Sequence, residues 1–245
     1  MFRLITLVAL GATIVAILGH LVIFGQKRVD KKGARSLKRF GVLEILVHAL
    51  TVATFLVLAG TGLWAIYNSE PLRGELWLLH VAVGPVFLIG LAVLILSWAR
   101  DCAFEPCDWE WAKKFGGYLW GDKHAPATRF NAGQKGYFWA VGALGFVTLV
   151  TGLGRVVPVL GDTGQLALLW VHRFGALAFV VAGLAHLYLG TLANPGTFTA
   201  MITGKVSPQW ARSHHPLWMP EGLPAASAAA ETVDLTQNEK SFEQK

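Results

Sequence analysis

The run LALLWVHRFGALAFVVAGLAHLYLGTL, Leu166 to Leu192, decides how this chain is read. It is long enough to cross a bilayer, for which a helix needs about 20 apolar residues. It carries two histidines, His172 and His186, fourteen positions apart. On an α-helix that interval is about 21 Å of rise, and at about 100° per residue the two side chains end within roughly 40° of each other. One face of one helix thus presents two imidazoles, one near each side of a membrane. Ionisable side chains are expensive in hydrocarbon, so each imidazole asks for a partner on another helix.

Four further apolar runs are long enough to span: Leu4–Gly25, Gly41–Tyr67, Leu76–Ala99 and Gly136–Val157. The composition agrees, with 54% hydrophobic and only 15% charged residues, where a soluble domain carries about 25% charge. The expected fold is therefore an all-α integral membrane protein: a four-helix transmembrane bundle plus one extra N-terminal transmembrane helix. The first run follows Arg3 and resembles a signal peptide in length. The basic block from Lys27 to Arg39 directly after it reads instead as a stop-transfer flank, so a retained helix is expected. The net charge of +6 is not a nucleic-acid signal here, because in a membrane protein the placement of basic residues is what informs.

That placement is lopsided. Residues 26–40 hold seven Lys and Arg, residues 100–135 hold six, and the chain from 193 onward holds four. The opposite side has only Arg3, Arg73 and Arg155. The long connections and the C-terminus are expected in the cytoplasm and the N-terminus outside. Ten Trp and fourteen Phe suit interfacial belts and cofactor packing. Cys102 and Cys107 are too few for a disulfide framework and, in a cytoplasmic loop, should be reduced. The segment 221–245 is rich in Ala, Glu and Gln and is expected to be disordered. The boundaries that result are 1–40 for the first helix and its basic linker, 41–220 for the four-helix domain, and 221–245 for the tail. No Gly-rich phosphate loop, nucleophile elbow or soluble catalytic domain is visible, so any substrate-oxidising centre belongs to partner subunits.

Depth along the helices sorts the histidines. His48 lies about two turns from the cytoplasmic end of its run and pairs with His186. His80 lies about one turn from the outer end of its run and pairs with His172. Two bis-histidine haems of b type are the economical reading. There is no C-x-x-C-H for covalent attachment, and no carboxylate or thiolate accompanies either pair to suggest zinc, copper or di-iron. Small residues near the histidine faces, Gly60, Gly62, Gly84, Gly90, Gly175, Ala176 and Gly183, suit close approach of a flat macrocycle and suit tight helix packing equally. Phe179 lies on the same face. Arg173, beside His172, calls for an anion such as a propionate or a partner carboxylate; Arg73 and Arg155 suit either propionates or the interface. Glu44, one turn before His48, reads equally as a proton relay or an N-terminal cap. His20, His124, His214 and His215 read as packing or solvated residues.

At this level of detail the sequence resembles the gamma subunit of membrane-bound respiratory formate dehydrogenases, a di-haem cytochrome b. Three motifs carry the resemblance: F-N-A-G-Q-K (Phe130–Lys135), W-V-H-R-F-G with A-H-L-Y (Trp170–Tyr188), and G-K-V-S-P-Q-W-A-R-S-H-H-P-L-W (Gly204–Trp218). The first and third separate that family from related hydrogenase and thiosulfate-reductase cytochromes. The resemblance implies haem ligands at His48, His80, His172 and His186, paired as depth suggests. It also implies a quinone site on the cytoplasmic side, lined by Asn131, Gly133 and Gln134 together with His186. Quinone carbonyls need donors, and the Gly133 N–H and the two side-chain amides supply them. The same N-A-G-Q is a good helix cap. The implied partners are an iron–sulfur beta subunit and a catalytic alpha subunit holding molybdenum or tungsten. The implied substrate is menaquinone or ubiquinone, and the location is the bacterial cytoplasmic membrane. The family's E-R-F-x-H-W around the first ligand is here E-I-L-V-H-A (Glu44–Ala49), without the Arg and Trp.

Overall fold

The computed structural model describes residues 1–24, 34–119, 125–218 and 220. The expectations for Lys27, Arg28, Lys31, Lys32, Lys123, His124 and the 221–245 tail lie outside the described residues. Five helices are long and apolar enough to cross a membrane: α1 (Phe2–Phe24), α2 (Val42–Asn68), α3 (Gly74–Trp98), α5 (Ala132–Val156) and α6 (Asp162–Gly190). Three short α-helices, α4 (Pro106–Lys113), α7 (Thr197–Thr203) and α8 (Pro208–His214), and one 3₁₀ turn at Phe115–Gly117 complete the described helices. The chain is an all-helical integral membrane protein. Its only sheet among the described residues is one antiparallel pair, β1 (Leu37–Lys38) with β2 (Lys205–Val206).

Two boundaries differ from the apolar pattern for a physical reason. Helix α5 begins four residues before its apolar run and α6 likewise begins before Leu166, because their polar first turns are helical too. In α5 the cause is a reciprocal cap. The Asn131 side chain accepts from the Gln134 N–H at 2.9 Å, and the Gln134 side chain accepts from the Asn131 N–H at 3.0 Å. Two of the four orphan donors of that terminus are thereby satisfied.

Helix α2 packs along α3, α5 along α6, and α3 along α5, whereas α2 and α6 approach closely at few points. Large apolar side chains such as Leu56, Ile89, Leu96, Phe146 and Leu187 face outward, as a lipid-facing surface requires. The middle of the bundle is filled by Phe55, Phe87 and Phe179, with Phe179 5.5 Å from each of the other two rings, centroid to centroid. Each lies seven residues from a histidine: Phe55 from His48, Phe87 from His80, and Phe179 from both His172 and His186. Seven residues are two helical turns, so the aromatic cluster lies at mid-depth, about 10 Å along the helix from either histidine level.

Helix α1 lies on α6. At one end Phe2 meets Trp170 and Phe174 edge-on at 5.7 and 5.2 Å. At the other, His20 Nδ1 and the Tyr188 hydroxyl are hydrogen-bonded at 2.6 Å. This is the packing role expected of His20. Arg173 turns to the same contact, over the Phe2 and Trp170 rings, and has no carboxylate partner among the described residues. Arg155 bonds Gln165 across the α5–α6 turn.

The end of the bundle where α2 starts and α6 stops carries a compact cap. Leu37, Phe40, Cys102, Phe130, Val206, Trp210 and Ala211 are buried together there. Arg39 is buried at its centre, its guanidinium over the rings of Phe40, Phe130, Trp210 and Trp218. Burial, and then the nearby Arg129, push its pKa down to about 9, which leaves it charged at neutral pH. The aromatic faces stabilise that charge. Burial pushes the Cys102 thiol up to about 12, so it is inert, and neither cysteine is in a disulfide.

His215 is buried in the cap and hydrogen-bonded through Nδ1 to the Thr128 carbonyl at 2.7 Å. Burial, and then Arg39, hold its pKa well below the ordinary value. Such an imidazole is neutral in the fold and protonates freely once released. Its contribution is therefore complete above about pH 6.5 and is lost as the pH falls below that value. As the pH is lowered from 7 to 5, the hydrogen-exchange protection factor of the Leu217 amide, which bonds the Ala127 carbonyl, should fall. A His215→Gln variant should lose most of that dependence.

Candidate functional site: two facing histidine pairs

Three helices supply the four imidazoles: α2 and α3 one each, and α6 two. His48 of α2 faces His186, and His80 of α3 faces His172. In both pairs the ring centroids are 6.3 Å apart, with interplanar angles of 53° and 68°. Direct stacking would be closer. Two imidazoles on opposite sides of one metal ion, each with a bond of about 2 Å and about 1.1 Å from nitrogen to ring centre, have centroids about 6 Å apart. Both pairs therefore have a spacing at which the two imidazoles could hold a single iron between them.

The His80–His172 pair is also held in the tautomer that ligation needs. Thr61 donates its hydroxyl to the Val57 carbonyl at 2.8 Å, and Thr151 donates to the Val147 carbonyl at 2.6 Å. With their protons so used, these oxygens are left as acceptors for His80 Nδ1 at 2.6 Å and His172 Nδ1 at 3.1 Å. The proton on each ring is thus fixed at Nδ1, and Nε2 carries the free lone pair. The residue after each threonine is glycine. A Cβ on Gly152 would stand 3.4 Å from the His172 ring, and one on Gly62 would stand 4.0 Å from the His80 ring. Sequence reasoning missed Thr61, Thr151 and Gly152. The signal was present as the tripeptide T-G-L, which occurs at Thr61–Leu63 and again at Thr151–Leu153.

The other small residues divide. A Cβ on Gly90 would strike Thr51, and one on Gly183 would press on Phe55; these serve helix packing. Gly175 is in ordinary contact with Thr148 and Val147, and nothing lies within 4 Å of a Cβ on Gly60 or Gly84.

The His48–His186 pair is built differently. Neither ring has a hydrogen-bond partner among the described residues. His186 is instead stacked on Tyr137 of α5 at 4.4 Å and 6°. Tyr137 follows Gln134 by three residues, one helical turn. The N-A-G-Q turn thus stands at the same end of the bundle as this pair. Its cap uses only the oxygens of Asn131 and Gln134, so both amide NH₂ groups have no partner among the described residues. Gly133 is packed against Trp111; a Cβ there would come within 2.8 Å of the indole. A cavity of about 380 Å³ lies beside it, between α4 and the start of α5.

Glu44 proves to be a cap and an ion-pair acceptor. It accepts from the Gly41 N–H and the Trp98 indole, and pairs with Arg129 at 3.0 Å. Arg129 also pairs with Asp101 at 2.5 Å. These bonds occupy both carboxylate oxygens, which favours the capping reading over the relay.

These features define a class: an all-helical membrane protein with two histidine pairs spaced as axial ligands. Residues 39–204 match the family model of the prokaryotic cytochrome b561 proteins, and the chain belongs to that family. A cytochrome b carries haem b, and the donor sets fit it. Among curated proteins, the cytochrome b556(fdo) subunit of formate dehydrogenase from Escherichia coli K12 is 27% identical over 194 residues, 75% of this chain and 92% of that one. The cytochrome b556(Fdn) subunit of the nitrate-inducible formate dehydrogenase of the same strain is 29% identical over 150 residues, 59% of this chain and 69% of that one. The cytochrome b556 subunit of the Haemophilus influenzae formate dehydrogenase is 29% identical over 147 residues, 56% and 59% of the two chains.

Proposed function

We propose that the chain is the cytochrome b membrane subunit of a respiratory formate dehydrogenase, relaying electrons from an iron–sulfur subunit through two b-type haems to a quinone. What carries this reading is the repeated 6.3 Å spacing of two histidine pairs strung along one helix, in a chain related to formate dehydrogenase cytochrome subunits. Haem, when bound, supplies one-electron transfer across the bundle. His80 and His172 hold the outer haem, with Thr61 and Thr151 fixing the ring tautomers. His48 and His186 hold the inner haem. Asn131, Gly133 and Gln134 offer N–H donors to the quinone carbonyls beside His186.

Residues 41–220 form the haem domain in this reading, preceded by an added span and linker at 1–40. The distribution of basic residues supports an outer N-terminus and a cytoplasmic C-terminus in a bacterial inner membrane. Quinone reduction then takes its protons from the cytoplasm. The partners are an iron–sulfur beta subunit and a Mo- or W-containing alpha subunit, which oxidises formate and supplies two electrons per turnover.

Thr151→Val removes an acceptor while preserving shape. It takes the Thr151 oxygen from the His172 ring, which keeps only its hydrogen bond to the Thr148 backbone, and outer-haem affinity should fall about 10- to 100-fold, read by haem titration of the purified chain. For the function as a whole, the tagged chain is purified from its own host. It should bring down iron–sulfur and Mo/W subunits, and formate should reduce its b-type absorption bands. A chain that purifies with haem but with no formate-oxidising partner would sink the assignment.

A further inference from the structure

We propose that Tyr137 is a positioning residue for the inner-haem ligand His186, setting the plane of its imidazole by stacking. The proposal rests on the reading that His48 and His186 hold the inner haem. Axial imidazoles need a fixed ring orientation, and a hydrogen bond at the non-ligating nitrogen is the usual device. The outer pair has that device twice, in Thr61 and Thr151. The inner pair has no such partner among the described residues. What His186 has is an aromatic face: the Tyr137 ring lies parallel to it within 6°, at 4.4 Å. A parallel offset stack tolerates sliding in plane but resists tilt.

The stacking ring is itself backed. Tyr137 packs against the central cluster of Phe87, Leu91, Val141 and Phe179, so it forms a wedge between that cluster and the ligand. It also lies one turn beyond Gln134 on α5. The cap that fixes the start of α5 therefore sets the height of the Tyr137 ring, and through it the tilt of His186. This joins the proposed quinone turn to the inner ligand through a single turn of helix.

The test uses the intact complex carrying Tyr137→Phe, Tyr137→Leu or Tyr137→Met. Phe keeps the flat face and loses only the hydroxyl. Leu and Met remove the face, and Met retains much of the volume should Leu prevent assembly. Low-spin ferric EPR reports the relative orientation of the two axial imidazole planes, and redox titration resolves the two haems. Tyr137→Phe should match the wild type in haem content, both EPR lines and both potentials. Tyr137→Leu and Tyr137→Met should keep two haems but shift the inner-haem line and potential, leaving those of the outer haem unchanged. Quinone reduction should slow about tenfold or more, as small misplacements of a working geometry do. An inner-haem line unmoved by Leu and Met would overturn the proposal, as would a Phe variant shifted as far as they are. A wild type with fewer than two haems would instead overturn the haem assignment on which the proposal stands.

Discussion

Replacing His186 by alanine is expected to abolish quinone reduction while formate oxidation with an artificial dye acceptor survives. In the proposed arrangement this imidazole would be one of two ligands at its level, and His48 alone would not hold the haem as the pair does. The inner haem should be lost or become five-coordinate, which removes the electron source beside Asn131 and Gln134. The outer pair lies fourteen residues away along α6, about 21 Å of helix, beyond the Phe55–Phe87–Phe179 cluster, and should keep its own haem. Haem content should therefore fall from about two per chain to about one, and formate should still reduce the remaining one. The comparison of quinone-linked with dye-linked rates is the measurement. If quinone reduction continued at an undiminished rate, the chain would be an anchor and the relay would lie elsewhere.

Lys135→Met is expected to lower stability more than any substitution on the surface. Lys135 is 0% exposed and its nitrogen lies 2.8 Å from Asp108, itself 5% exposed, with Glu105 at 3.3 Å. One Asp108 oxygen also accepts from the Glu105 N–H at 2.7 Å, while the other is buried with no partner among the described residues. Removing the ammonium strands a buried carboxylate, which costs about 3–5 kcal/mol. For a chain of this size that corresponds to a fall in melting midpoint of roughly 10 °C, followed by haem absorbance in detergent. The loss should appear first where α4 meets the start of α5, beside the N-A-G-Q cap. Adding Asp108→Leu should recover most of it, because the uncompensated charge is then gone. An unchanged midpoint would mean the pair behaves as an exposed one.

The spans and the histidine levels were legible in the sequence because both are one-dimensional signals. Apolar length reports a crossing helix, and depth along each run pairs His48 with His186 and His80 with His172. The contacts that hold those rings were not legible. Thr61 and His80 sit on different helices, as do Thr151 and His172, and nothing in a hydropathy pattern sets one helix's azimuth against another's. Tyr137 and His186 likewise sit on different helices, and no sequence pattern places one ring on the other. The cap is the clearest case. Arg39 bonds the Arg129 carbonyl, Leu37 pairs with Val206, and His215 bonds the Thr128 carbonyl. Each contact joins segments that apolar spans separate in sequence. Helix α1 was expected to span, yet its docking on α6 through Phe2 and His20 depends on side-chain geometry that composition does not encode.

The central claim is that four histidines form two pairs and that each pair holds one haem. Haem counting in the wild type and the four single His→Ala variants, with optical and EPR resolution of the two centres, tests it most directly. The account predicts two b haems per wild-type chain. It predicts that His80→Ala and His172→Ala lose the same one, and that His48→Ala and His186→Ala lose the other. A single haem in the wild type, or losses that cross between the pairs, would contradict it.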